Sequence, residues 1–240
     1  YSAGGNIRVY GRMHSSPGAA WAAGIAIVGG TEILSGTGKI NLIGETTTAG
    51  GTDADGTMEF NAWGGTVNLT SLSTASDAIL IEGLQVGSGA AEYGIWGGND
   101  GTSITAPGGV IIRADHISHG LDATISTSGQ IVLEPQGTAF RTSAASTNFV
   151  PKFGGDDDLR FAGNPTGLRV GSASNSNTID IVASSTLNLP TEFIGNGFYI
   201  SNGVKLTNTA AGADFVFKSK TLIDMADGNS TTFTDIQTNN

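Results

Sequence analysis

The stretch "GGTVNLTSL" at residues 64–72 places two apolar side chains, Val67 and Leu69, two positions apart behind a pair of glycines. Apolar residues at alternate positions lie on one face of a β-strand, and glycine supplies the turn that precedes it. The same pattern recurs in "GGNIRVYG" (4–11), "GTGKINLIG" (36–44), "GGVIIRAD" (108–115) and "SGQIVLEP" (128–135). The chain therefore encodes one kind of short strand many times.

Strand patterns of this kind continue to the end of the chain. No window keeps apolar residues at helical spacing over three turns, and residues 18–26, the best helix candidate, favour a turn and a strand because glycine occurs at both ends. The sequence therefore predicts an all-β protein. The alternating apolar pairs are Ile7/Val9, Ile25/Ile27, Ile40/Leu42, Met58/Phe60, Val67/Leu69, Ile79/Ile81, Ile131/Leu133, Leu168/Val170, Ile179/Ile181, Val204/Leu206 and Phe215/Phe217.

The repeats are unevenly spaced. In the first half, the small residue before each strand recurs at intervals of 33, 27, 43 and 21, at Gly5, Gly38, Gly65, Gly108 and Gly129. A longer echo aligns residues 31–40 with 102–111 at an offset of 71, which matches Ile33 with Ile104. Short strands that recur at multiples of about 20 residues, with irregular loops between them, favour a solenoid.

The predicted fold is a right-handed parallel β-helix, a β-solenoid of about 10–12 irregular coils with about 20–25 residues each. Each strand would pair with its equivalent in the next coil, so that the ladder satisfies the backbone and the alternate apolar side chains stack inside. We expect residues 1–240 to form a single such segment of a longer repetitive chain or filament. An all-β sandwich or jelly roll shares the short alternating strands and remains the alternative fold.

Composition narrows the classes of function. The chain has 240 residues, and its 21 acidic and 11 basic residues give a net charge of −10, which argues against nucleic acid because a polyanion needs a basic face. Cysteine is absent, so neither a disulfide nor a thiol nucleophile is available. No apolar run approaches the roughly 18 residues of a membrane helix. We therefore expect no nucleic-acid partner and no membrane span.

Four stretches resemble the repeat units of filamentous-haemagglutinin-like exoproteins, which are very large bacterial surface proteins. They are "STSGQIVLEPQGTAFRT" (126–142), "DLRFAG" (158–163), "TGLRVGSASNSNTIDIV" (166–182) and "IGNGFYISNGVKLT" (194–207). The motifs of that family's N-terminal secretion domain are not visible, so the chain would be part of the shaft. The resemblance implies a right-handed β-helix, export across the envelope, and an adhesive or filament-building role.

Two acidic loops are candidate metal sites. "GGDDDLR" contains Asp156, Asp157 and Asp158, and "TDADGT" contains Asp53 and Asp55. Carboxylates beside glycine are ligands that Ca²⁺ accepts, although neither loop has the length or the closing glutamate of an EF-hand. The two interpretations are a Ca²⁺ site and a solvated loop. Ca²⁺ is the one cofactor that the sequence suggests.

The alternative function is a carbohydrate-active β-helix, either a phage tailspike or a polysaccharide lyase or hydrolase. Such an enzyme needs carboxylates, or an acid and a base, that converge on one face. The candidates in the relevant region are Asp115, Glu134, Asp156, Arg160 and Arg169. With only 11 basic residues in the chain, a cleft for an acidic sugar would be poorly supplied.

The sequence thus predicts a non-enzymatic, extracellular structural shaft of a bacterial surface adhesin, filament or sheath. Strand patterns reach close to both ends without a polar cap, which indicates continuation in both directions. The expected partners are the chain itself, through end-to-end or lateral stacking, and cell-surface glycans or the surfaces of host or neighbouring cells.

Overall fold

The computed structural model describes residues 1–13, 23–46, 57–62, 64–85, 94–97, 101–117, 122–140, 148–149, 153, 159–176, 178–221, 223–225 and 235–239. Within these ranges all regular structure is β-strand, and no helix long and apolar enough to cross a bilayer occurs. The strands are, in chain order, β1 (Ile7–Met13), β2 (Ile25–Val28), β3 (Glu32–Leu34), β4 (Ile40–Thr46), β5 (Met58–Ala62), β6 (Val67–Thr70), β7 (Ile79–Gln85), β8 (Ile95–Gly97), β9 (Thr102–Ala106), β10 (Val110–Ala114), β11 (Ala123–Thr127), β12 (Gln130–Glu134), β13 (Asn148–Phe149), β14 (Arg160–Ala162), β15 (Gly167–Gly171), β16 (Thr178–Ile181), β17 (Ser185–Leu187), β18 (Thr191–Gly195), β19 (Gly197–Ile200), β20 (Lys205–Ala211), β21 (Phe215–Ser219), β22 (Ile223–Met225) and β23 (Asp235–Asn239).

The strands form five sheets, and consecutive strands of the chain lie in different sheets. The longest sheet has eight strands in the order β1-β4-β7-β10-β12-β15-β18-β21. The others have the orders β14-β11-β9-β6-β3, β13-β16-β19-β22, β17-β20-β23 and β2-β5-β8. Each pairing among these strands is parallel, for example Ile40 with Ile79 and Val110 with Ile131. The prediction of an all-β chain is confirmed, and it is built from parallel sheets.

The alternating pairs predicted from the sequence lie in these strands or, for Val204, directly before one. The match of Ile33 with Ile104 in the sequence corresponds to equivalent positions in one sheet, because Ile33 pairs with Leu69 and Leu69 pairs with Ile104. At the next strand the sequence alignment differs from the pairing by one residue. The alignment matches Ile40 with Ile111, whereas Ile40 pairs with Ile79 and Ile79 pairs with Val110. The turn between the strands therefore differs in length by one residue.

The uneven spacing of the first-half glycines was attributed to irregular loops, but part of it arises because the glycines precede strands of different sheets. The strands after Gly5, Gly38, Gly108 and Gly129 belong to the eight-stranded sheet, whereas the strand after Gly65 is β6 in the five-stranded sheet. The intervals of 27 and 43 therefore compare strands of two different sheets. A glycine followed by alternating apolar residues marks a strand without indicating its sheet.

Neighbouring strands of the longest described sheet are unevenly spaced along the chain. Its eight strands are separated by 21 residues, from Val110 to Ile131, up to 39 residues, from Ile40 to Ile79. Seven strand spacings of about 4.8 Å make this sheet about 34 Å across. The number of coils stays a prediction.

The core is a set of columns that run perpendicular to the strands. One column consists of inward side chains in register on six successive strands of the eight-stranded sheet, each at most 1% exposed. Burial of such a side chain contributes about 1.5–3 kcal/mol relative to its exposure to water. The column is Leu42, Ile81, Ile112, Leu133, Val170 and Phe193.

Glycines stack where the chain enters the eight-stranded sheet. A Cβ atom on Gly38 would lie 2.2 Å from the carbonyl oxygen of Gly5, and one on Gly129 would lie 2.5 Å from the carbonyl carbon of Gly108. Both obstacles are backbone atoms of the preceding strand's turn, which cannot rotate away. Glycine is therefore required at these corners by close approach of the backbone.

We predict that Gly38→Ala lowers the free energy of unfolding by about 1–3 kcal/mol, as overpacking does elsewhere. Gly5→Ala is the matched control, since its Cβ would meet only the flexible Ser2 side chain, at 3.0 Å. Urea denaturation of both variants measures the difference. Equal stability of the two variants would contradict the stacked corner.

Candidate functional surfaces

The outer face of the eight-stranded sheet carries ion pairs that alternate in sign from strand to strand. The register places Glu82 beside Arg113 and Arg113 beside Glu134. Arg113 lies 3.7 Å from Glu82 and 2.6 Å from Glu134, and Glu134 also contacts Arg169 at 3.1 Å. The Glu134 side chain is 13% exposed, between arginines that are 33% and 32% exposed. We call Glu82, Arg113, Glu134 and Arg169 the charge ladder.

Further ion pairs lie toward both ends of the sheet, although the alternation in sign stops between β4 and β7, where Glu45 and Glu82 are both acidic. Lys218 pairs with Glu192 at one end, and Arg12 lies 3.0 Å from Glu45 at the other. Tyr10 donates a hydrogen bond to Glu45, and this hydrogen bond raises the pKa of Tyr10. The charges of the face neutralise one another. It is therefore neither a basic surface for a polyanion nor an acidic one for a metal ion.

We predict that Glu134→Gln lowers the free energy of unfolding by about 1–2 kcal/mol, because two half-buried arginines lose a charged acceptor together. The loss should shrink at high salt, which screens the remaining charges. Asp77→Asn is the control, since its pair with Lys39 is exposed on both sides at 36% and 41% and should be worth about 0.2–1 kcal/mol. A larger loss in the control would contradict the ladder's role.

The two terminal levels expose side chains whose in-register equivalents are buried. Val9, in line with the buried Leu42, is 38% exposed on the first strand. At the other end Phe217 stacks on Phe193 with ring centroids 4.9 Å apart, yet it is only half-buried. Met225, in line with the buried Ile200, is 41% exposed. Among the described residues, the apolar side chains of β1, β21 and β22 are therefore less covered than their in-register equivalents on the neighbouring strands.

A row of polar side chains crosses the outer face of the strands β16, β19 and β22. In register, Asp180, Tyr199 and Asp224 follow one another. Burial raises the pKa of Asp180. Tyr199 remains 37% exposed. The fold therefore favours the neutral form of one carboxyl group in this row.

This shift has a defined effect on stability. A carboxyl group whose pKa is raised by folding adds stability below its unfolded pKa and loses that contribution as the pH rises through the folded value. We predict that Asp180→Asn stabilises the protein at neutral pH and that the gain disappears in acid. Asp77→Asn is the contrasting variant, because the hydrogen bond from Lys39 lowers the pKa of Asp77, and its loss should destabilise the protein at neutral pH. Thermal melts over a pH series measure both, and a change of the same sign in the two variants would contradict the assignment.

The calcium candidates Asp53, Asp55, Asp156, Asp157 and Asp158 lie outside the described residues. Their binding of Ca²⁺ stays a prediction. Among the residues that the structure does describe, no three histidine or acidic side chains lie close enough together to hold a metal ion.

The residues proposed for a carbohydrate-active site lie on different surfaces. Glu134 and Arg169 pair on the eight-stranded sheet, whereas Arg160 lies on β14 of the five-stranded sheet and pairs with Asp122. Asp115 accepts a hydrogen bond from the backbone N–H of Gly137 at 2.6 Å. Asp156, the fifth candidate, is outside the described residues. The four described candidates are thus divided between surfaces, and their charged groups are engaged by neighbours.

The sequence analysis did not identify Glu82 and Arg113 of the charge ladder or the contacts among its four residues, although a signal was present. In "ILIEG", "VIIRA" and "IVLEP" a charged residue directly follows the second inward apolar residue. That position points outward, and parallel pairing places it beside its equivalents, here Glu82, Arg113 and Glu134. Knowledge of the pairing was required to see that the charges are neighbours.

Comparison with known proteins returns no match for this chain: no protein-family model, no curated protein and no solved structure is similar to it at a significant level.

Proposed function

We propose that the chain is a segment of an extracellular β-solenoid that acts as the shaft of a bacterial surface adhesin, filament or sheath. The observation that carries the proposal is the threefold strand order. The strands β1, β2 and β3 lie in three different sheets, and β4, β5 and β6 return to the same three sheets one level on. A chain that winds continuously around one axis produces this order.

The proposed winding is a right-handed parallel β-helix of eight levels. Crossover connections between parallel strands are right-handed in about 98% of cases. The buried columns support one shared interior, because side chains of the eight-stranded sheet, such as Leu42, form one core cluster with Leu69 and Ile200 of other sheets. In such a stack each level contacts only its neighbours, so connections of unequal length are tolerated.

A mechanical role is favoured by how the outer charges are arranged. The charge ladder connects four successive strands of the longest sheet and leaves the face electrically balanced. The main alternative, a carbohydrate-active enzyme, needs carboxylates, or an acid and a base, that converge on one face. Its candidates Glu134 and Arg160 lie instead on different sheets. Localisation outside the cell rests on the resemblance to filamentous-haemagglutinin-like exoproteins.

The open columns support stacking as the mode of partnership. Ile223 and Met225 are 43% and 41% exposed at the last level, although their in-register equivalents Phe198 and Ile200 are buried. A further level would cover them and would lie beside β21, beyond which no strand of the described residues is paired. We propose that this level is supplied by a second copy, in addition to lateral contacts and contacts with glycans or cell surfaces.

The test is sedimentation and small-angle scattering of residues 1–240, with a search for reducing ends or unsaturated sugars released from bacterial and algal polysaccharides. We expect the particle to associate end to end as its concentration rises, so that scattering shows a lengthening rod, and we expect no sugar release. Association that does not lengthen the particle would contradict the stacked solenoid, and released sugar would favour the enzyme.

We further predict that Met225→Lys suppresses the association, because a charge at the open column would be buried unpaired. Leu72→Lys is the matched control, since Leu72 is 59% exposed away from the terminal levels. Association that is unchanged in Met225→Lys, or lost equally in the control, would overturn end-to-end stacking.

A further inference from the structure

The side of the fold that is formed by the five-stranded sheet and by the sheet β17-β20-β23 contains a break in strand pairing. The five-stranded sheet ends at β14, and the three-stranded sheet begins at β17. On the other two sides the corresponding strands are paired, β12 with β15 and β13 with β16. The backbone N–H of Thr186, on β17, instead donates to the carbonyl oxygen of Phe153 at 3.2 Å.

A groove of about 180 Å³ lies at this break. Phe161 and Leu187 form its apolar floor, while Arg160, Thr186, Asn188 and Thr209 contribute polar groups. Phe161 is in register with the fully buried Ile125, yet it is only half-buried, and no strand of the described residues pairs with β14 on the side away from β11. Phe161 therefore presents part of its ring to the groove.

The polar groups of the groove differ in how far they are already engaged. Arg160 is held by Asp122 and by the hydroxyl of Thr124, at 3.3 Å. The hydroxyl of Thr209 donates to the carbonyl oxygen of Leu187 at 3.1 Å. Thr186 and Asn188 are exposed, and no side-chain hydrogen bond of theirs is found within the described residues. They are available to a ligand.

We propose that this groove binds one ring of a neutral sugar, presented by a polysaccharide. A sugar ring has an apolar face that suits Phe161 and hydroxyl groups that suit the exposed amide of Asn188 and the exposed hydroxyl of Thr186. The volume is below the ~300–1,000 Å³ of sites for larger ligands, so it admits a single ring. The inference does not depend on the shaft role, which needs no pocket.

Other ligand classes fit less well. The strands β14 and β17 are held about one strand spacing apart, about 4.8 Å, by the pairing of β12 with β15 and of β13 with β16. A peptide strand added between β14 and β17 therefore lacks room. The charge of Arg160 is matched by Asp122, and the chain carries a net charge of −10, which disfavours an anion. A purely apolar ligand would leave the hydrogen-bonding groups of Thr186 and Asn188 unused.

The test is a titration of ¹⁵N-labelled protein, residues 1–240, with maltotriose, cellotriose, mannotriose and chitotriose, followed by NMR. Hyaluronan tetrasaccharide and an extended decapeptide serve as the acidic and peptide arms. We expect saturable shifts at Thr186, Asn188 and Arg160 with at least one neutral sugar. No saturable shift with any of the four, or tighter binding in either other arm, would overturn the proposal.

Variants make the assignment specific. Asn188→Ala and Thr186→Ala should each weaken binding about threefold to tenfold, the equivalent of one hydrogen bond. Phe161→Leu keeps an apolar floor but removes the ring face, and it should weaken binding as well. Thr105→Ala, on the outer face of β9 and outside the groove, is the control. Equal affinity in the groove variants and the control would place the sugar elsewhere.

Discussion

The structure depends on the in-register pairing of parallel strands across levels. Once Ile40 pairs with Ile79, each side chain of the two strands must lie beside its equivalent. Apolar side chains then form buried columns, and outward charges become neighbours one strand spacing apart, about 4.8 Å. The corner glycines follow from the same constraint, because the backbone of Gly38 lies directly against that of Gly5.

Local strand patterns could be predicted from the sequence, because alternation is a property of a few consecutive residues. Sheet membership could not, since β6 and β4 carry the same glycine-led pattern and lie in different sheets. The strand β7 shows the opposite case. Asp77 and Ala78 precede it in place of glycine, yet it pairs on both sides within the longest sheet.

The candidate sites were less accessible to sequence reasoning, because they depend on residues brought together from separate levels. The acidic loop around Asp157 could be recognised because its aspartates are consecutive in the sequence, and it lies outside the described residues. The contact of Arg113 with Glu134, and the groove at Phe161, arise from pairing or from its interruption. Regular pairing brings the outer charges of successive strands into contact with one another, and the proposed ligand groove lies where the pairing is interrupted.

The register between levels is the central claim, and introduced cysteine pairs measure it directly because the chain has no cysteine. Asn68 is in register with Ser103, and Ser103 with Thr124. Cysteines at 68 and 103 would then be about 4.8 Å apart at Cα, within disulfide range, and those at 68 and 124 about twice as far. The account predicts a disulfide in the first pair and none in the second. A disulfide in the second pair, or none in the first, would contradict it.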